Sequence, residues 1–163
     1  YANSYALVVG NGNYTKGWDV LNGALTDADE VARVLKANGF VVEVKKDLTK
    51  AGFEEVFGDF IDRHGRENGN QNRLLFYYAG HGYTERMANN EELGYLVMVD
   101  APDPEKDRAG FRRKSIDMES LITQAKLIQS KHVLFMFDSC FTSPGAGGES
   151  VVGGGALARV GCG

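Results

Sequence analysis

Apolar residues in this chain fall into two kinds of run, and the two kinds alternate. Tyr5-Ala6-Leu7-Val8-Val9 is a continuous apolar stretch that closes on Gly10-Asn11-Gly12-Asn13. A short unbroken run followed by turn-forming residues predicts a buried strand and its exit turn. Over residues 24–37 the apolar positions Ala24, Ala28, Val31 and Leu35 recur at helical spacing, and Asn38-Gly39 supplies a stop. Residues 40–44 predict a second strand. Phe53, Val56, Phe57, Phe60 and Ile61 then form one face of a helix over residues 50–64.

A polar loop over residues 65–72 leads into a third apolar strand, Arg73-Leu74-Leu75-Phe76-Tyr77-Tyr78-Ala79, followed by Gly80-His81-Gly82. A variable stretch runs through Glu92, and residues 94–99 predict a short strand. Residues 101–114 carry Pro102, Pro104 and many charges and predict a loop. Met118, Leu121, Ile122 and Ala125 give residues 117–129 a helical apolar face. The last strand, His132-Val133-Leu134-Phe135-Met136-Phe137, runs into Asp138-Ser139-Cys140.

Strands that alternate with helices predict an α/β fold with a mainly parallel sheet flanked by helices. The pattern ends after Ser143: residues 145–163 hold eight of the 21 glycines with no periodicity, which predicts a linker. A last strand that runs into a linker leaves a sheet edge in need of cover.

The chain has 163 residues, enough for one domain with a real core. Its 43% apolar and 25% charged residues are those of a soluble globular domain. A net charge of −4 argues against a general nucleic-acid surface. No apolar run approaches the ~18 residues of a membrane span. The start, Tyr1-Ala2-Asn3-Ser4, has neither an initiator Met nor a signal-peptide pattern, as expected of an excerpt or a processed product. Two cysteines, Cys140 and Cys162, do not make a disulfide framework, and three scattered histidines without a Cys-x-x-Cys pair do not suggest zinc. A reducing, cytoplasmic setting is expected.

Chemistry concentrates where two strands end. His81 and Cys140 each follow an apolar strand, and open α/β sheets build their sites at the carboxyl ends of strands. An imidazole can take a thiol's proton and so produce a nucleophile. The backbone N–H groups of Gly82 and Cys140 are candidate donors to a developing oxyanion. His64 and His132 fit structural positions at element ends, and Gly10-Asn11-Gly12 is too short for a phosphate loop.

Phe76-Tyr77-Tyr78-Ala79-Gly80-His81-Gly82 and Phe135-Met136-Phe137-Asp138-Ser139-Cys140-Phe141 resemble the His and Cys motifs of caspase-like cysteine peptidases, in the metacaspase and bacterial paracaspase-like branch. The two residues lie 140 − 81 = 59 positions apart, and the resemblance covers residues 4–143. It implies that His81 and Cys140 are catalytic and that Gly82 belongs to the oxyanion hole. It also implies that Asp27 and Asp138 line the S1 pocket, where two carboxylates would hold an arginine or lysine side chain and repel aspartate. Ala79 stands where many metacaspases have serine, and Phe141-Thr142-Ser143 where they often have His-Ser-Gly. Both place the chain nearer bacterial-type relatives.

The resemblance further implies a larger p20-type half over residues 1–143, and a linker over residues 144–163 toward a small p10-type half of the same precursor. Arg159 is then a candidate processing position, and Arg112-Arg113-Lys114 a second basic site. No cofactor is expected. Calcium is the one ion the resemblance leaves open, with Asp100, Asp103, Asp107 and Asp117 at hand but not at EF-hand spacing. Protein or peptide substrates are expected, and neither nucleic acid nor membrane. A non-catalytic interaction module of the same fold is the alternative, and another acyl-transfer enzyme using the same dyad is a third reading.

Overall fold

The computed structural model describes residues 1–66, 69–139, 141–142 and 156–159. Strand β1 (Asn3–Gly10) is followed by α1 (Asn22–Ala37), β2 (Val41–Lys46), α2 (Lys50–Phe60) and β3 (Asn72–Ala79). A hairpin of β4 (Gly82–Arg86) and β5 (Glu92–Leu96) comes next. The chain continues through α3 (Arg108–Lys114), β6 (Ile116–Asp117), α4 (Met118–Ala125), β7 (His132–Asp138), β8 (Phe141–Thr142) and β9 (Ala156–Arg159). The main sheet has the order β2-β1-β3-β7-β9 and every pairing in it is parallel. A smaller sheet, β6-β5-β4-β8, is antiparallel except where β8 joins β4. The mainly parallel α/β architecture is therefore as expected.

The continuous apolar runs have a physical cause. Helices cover both faces of the main sheet, so both sets of alternating side chains must be apolar. Leu7, Val9, Leu74, Phe76 and Tyr78 face α2 and α4, against Phe53, Phe57, Phe60 and Leu121. Ala6, Val8, Leu75, Tyr77 and Ala79 face α1, against Ala24, Ala28 and Ala32. The alanines let α1 lie close to the sheet. At Gly10 the approach is closest: a Cβ there would stand 2.7 Å from Ala28 Cβ and 2.9 Å from the Ala24 carbonyl oxygen.

Several elements differ from the sequence expectation. The helix expected over residues 50–64 is α-helical only to Phe60 and widens into a π-helical turn over Ile61–Arg66. There the Gly65 carbonyl accepts from Gln129 N–H and the His64 carbonyl from the Asn72 side chain. Strand β4 falls in the stretch expected to be irregular. Its inward positions are Tyr83 and Glu85, and a buried carboxylate breaks the apolar alternation that marks a strand. Residues 101–114 contain α3, capped by Asp107 accepting from Gly110 N–H (2.9 Å) and anchored by buried Phe111. The helix expected over residues 117–129 stops at Ala125. Within the segment expected to be linker, Ala156–Arg159 forms a strand that pairs Leu134 with Ala156 and Phe137 with Arg159.

Replacing Gly10 by alanine forces a Cβ against the backbone of α1. The variant is expected to lose about 1–3 kcal/mol of stability, the usual cost of overpacking, read as a lower midpoint in urea unfolding.

Candidate functional site

Parallel pairing sets Gly10 beside Ala79, and Ala79 beside Asp138. The chain therefore leaves β1, β3 and β7 along one edge, and a cleft of about 610 Å³ opens there. Its walls include Asp27 from α1, His81 after β3, Asp138 and Ser139 at the end of β7, and Trp18 and Asp19 from the loop before α1. Asp103 adds a fourth carboxylate. Among the described residues no lysine or arginine lines this cleft.

The His81 ring is held on three sides. It packs 4.6 Å from the Tyr14 ring and 5.0 Å from the Trp18 ring, centroid to centroid. Its Nε2 lies 2.9 Å from the Asp19 carbonyl oxygen. A carbonyl can only accept, so Nε2 carries a proton in this contact, and in the neutral ring the lone pair is on Nδ1.

The main chain of His81 is equally constrained. Its N–H donates to the Tyr14 hydroxyl at 2.8 Å. Its carbonyl accepts from Val97 N–H at 3.0 Å and lies 3.1 Å from the Tyr78 hydroxyl. Both tyrosine hydroxyls also reach the Val97 carbonyl, at 3.1 and 2.9 Å. Burial pushes the Tyr14 hydroxyl up to about 12 and that of Tyr78 well above its ordinary value, so both stay protonated as donors.

These contacts explain the glycines around the histidine. A Cβ on Gly80 would meet the Tyr78 and Tyr14 hydroxyls at 2.6 and 2.8 Å, and one on Gly82 would press on the Phe141 ring at 3.0 Å. Gly82 pairs with Leu96 on one side and Phe141 on the other. His81 and Val97 are already hydrogen-bonded, so the next pair, Gly82 and Leu96, is a non-bonded one. Its N–H then points away from β5, to the side of β8.

Of the expected site residues, Asp27, His81 and Asp138 line one cleft, and Gly82 follows His81 directly. Cys140 lies outside the described residues. Its chain neighbours do not: Ser139 is a wall of the cleft, and Phe141 is the residue paired with Gly82. Arg159 ends β9. The four acidic residues considered for calcium are engaged locally. Asp107 and Asp117 cap α3 and α4, Asp103 accepts from Glu105 N–H at 2.9 Å, and Asp100 pairs with Lys114 at 3.2 Å. Among the described residues no three His, Cys, Asp or Glu side chains form a group that could hold a metal ion, and none of the described helices is long and apolar enough to cross a membrane.

Sequence reasoning missed Tyr14, Trp18, Asp19 and Tyr77, and considered Asp103 only as a calcium ligand. Trp18 is the chain's single tryptophan, a usable signal. Asp19 contributes a main-chain carbonyl, which no residue type announces. Asp138 accepts from the Tyr77 hydroxyl at 3.0 Å, and Tyr77 had the look of an ordinary core aromatic.

A family profile for the Caspase domain matches residues 3–156. The chain belongs to the caspase-domain family. Membership points to a cysteine peptidase in general terms. Among solved structures, this caspase-domain chain is similar to the crystal structure of protein GSU0716 from Geobacter sulfurreducens. The two share 20% sequence identity with a TM-score of 0.63, over 85% of this chain and 50% of that one. The likeness is one of fold, and the caspase-domain chain spans half of that protein's length. No curated protein matches the sequence.

One ion cluster braces the wall outside the cleft. Glu85 is 3% exposed and accepts from Arg108 at 2.9 Å, from Arg112 Nε at 3.1 Å and from the Tyr95 hydroxyl at 3.2 Å. Arg112, followed by burial working the other way, holds the Glu85 carboxyl below its ordinary range. The basic run at Arg112–Lys114 is thus part of a helix tied to Glu85 and Asp100, and cutting there requires α3 to unwind. A carboxyl depressed in the folded state stabilises above the ordinary glutamate value, and that contribution is lost as pH falls through the folded one. Glu85→Gln should therefore cost about 1–3 kcal/mol at neutral pH. The difference from wild type should shrink in urea titrations below roughly pH 4.3.

Proposed function

We propose that this caspase-domain chain carries the larger catalytic half of a cysteine endopeptidase that cleaves after arginine or lysine. The observation that carries the reading is the single cleft shared by His81, Asp27 and Asp138. Asp27 and Asp138 share this cleft with two further carboxylates and, among the described residues, no lysine or arginine, which favours a cationic side chain over an acidic one.

In the proposed reaction, His81 Nδ1 takes the proton of the Cys140 thiol while the thiolate attacks the carbonyl carbon of the basic residue. The N–H groups of Gly82 and Cys140 receive the oxyanion. Collapse breaks the C–N bond, and His81 passes its proton to the leaving amine, which leaves an acyl-thioester. Water, deprotonated by His81, then attacks the thioester and releases the acid and the thiol. Throughout, the Asp19 carbonyl keeps a proton on Nε2 and leaves Nδ1 to act as the base.

A p10-type half of the same precursor is the proposed partner, and the protein is read as cytoplasmic. Arg159 remains the proposed processing position. Because it ends a strand paired with β7, cutting there requires β9 to leave the sheet edge. Such a requirement would couple processing to rearrangement of that edge.

Peptides with a fluorogenic group after Arg, Lys or Asp, given to the full-length protein, test the reading. Cleavage after Arg and Lys is expected, reduced at least about 10³-fold in Cys140→Ala and in His81→Ala. Asp27→Asn and Asp138→Asn should raise KM for both basic substrates. Cleavage after Asp would overturn the pocket. Absence of any cleavage would favour a non-catalytic interaction module.

A further inference from the structure

We propose that Tyr77 is a positioning residue for substrate selectivity: its hydroxyl fixes the Asp138 carboxylate so that the cleft favours arginine over lysine. The proposal rests on the peptidase reading above and adds a residue that does not line the cleft.

Tyr77 is buried on the α1 face of the main sheet, one strand away from Asp138. Register places Asp138 beside Ala79, and the Tyr77 ring reaches diagonally along the sheet to bring its hydroxyl 3.0 Å from Asp138 Oδ2. A phenol has one proton, and here it is given to the carboxylate. Burial first, then the charges of Asp138 and of Asp27, hold the Tyr77 hydroxyl above its ordinary value, so it remains a donor with both carboxylates nearby.

A carboxylate held by one oxygen rotates less freely about its Cβ–Cγ bond, which narrows the directions open to Oδ1. A guanidinium presents its N–H groups in one rigid plane and gains most from acceptors fixed in place. An ammonium turns its three N–H bonds freely and tolerates a carboxylate that rotates. Loss of the tether should therefore weaken arginine binding more than lysine binding, without touching the thiol or the imidazole.

The test compares kcat and KM on matched Arg and Lys peptides for the full-length protein and its Tyr77→Phe variant, which keeps the ring and removes the hydroxyl. KM for the Arg peptide should rise about tenfold, because the freed carboxylate must then be ordered when the guanidinium binds. Its kcat should stay within about twofold, and the Arg-to-Lys ratio of kcat/KM should fall at least about threefold. An unchanged ratio, or an equal fall in kcat on both peptides, overturns the proposal and leaves the peptidase reading standing. A wild type that cleaves neither peptide overturns both. Should Tyr77→Phe fail to fold, 3-fluorotyrosine at position 77 replaces it. This more acidic phenol is a stronger donor of the same shape and should raise the ratio, and a ratio that does not move counts against Tyr77.

Discussion

Three parallel strands that end in one row are the constraint on which this molecule depends. In a parallel pair the register admits little freedom, because a slip of one residue would turn every buried side chain to the opposite face. With helices on both faces, such a slip would place Tyr77 and Tyr78 on the wrong sides of the sheet. The row of Gly10, Ala79 and Asp138 therefore fixes where the chain leaves β1, β3 and β7. The cleft is a consequence of that row, with α1 drawn against its rim by Gly10 and the facing alanines.

Adjacent tyrosines carry this constraint to both sides of the site. Tyr78 faces α2 and α4, and its hydroxyl helps to hold the main chain of His81. Tyr77 faces α1, and its hydroxyl holds Asp138. One strand thus braces the histidine from one face and an acidic wall of the cleft from the other. Neighbouring positions on a strand point in opposite directions, so a Tyr-Tyr pair is a compact way to support two walls of a cleft at a sheet edge.

The legible part of this structure was the part governed by repetition. Continuous apolar runs and helical spacing located β1, α1, β2, α2, β3 and β7, because burial on two faces writes itself into consecutive residues. His81, Asp27 and Asp138 could be named because their motifs resemble those of a known family, and they do line one cleft. What stayed hidden was set by single long-range contacts. Glu85 turned β4 into a strand without apolar alternation, and Asp107 with Phe111 made a helix of a charged stretch. The carbonyl of Asp19 reaches a residue 62 positions away, which no local pattern can encode.

That carbonyl also bears on how the imidazole is held. A buried carboxylate behind an imidazole forms an ion pair once the ring is protonated and so strengthens it as a base. A peptide carbonyl offers a dipole in place of a full charge. The Asp19 carbonyl therefore sets the tautomer and orientation of the ring without placing a charge behind it. One loop thus orients the ring through its backbone alone, so the side chain at position 19 could change without removing the acceptor.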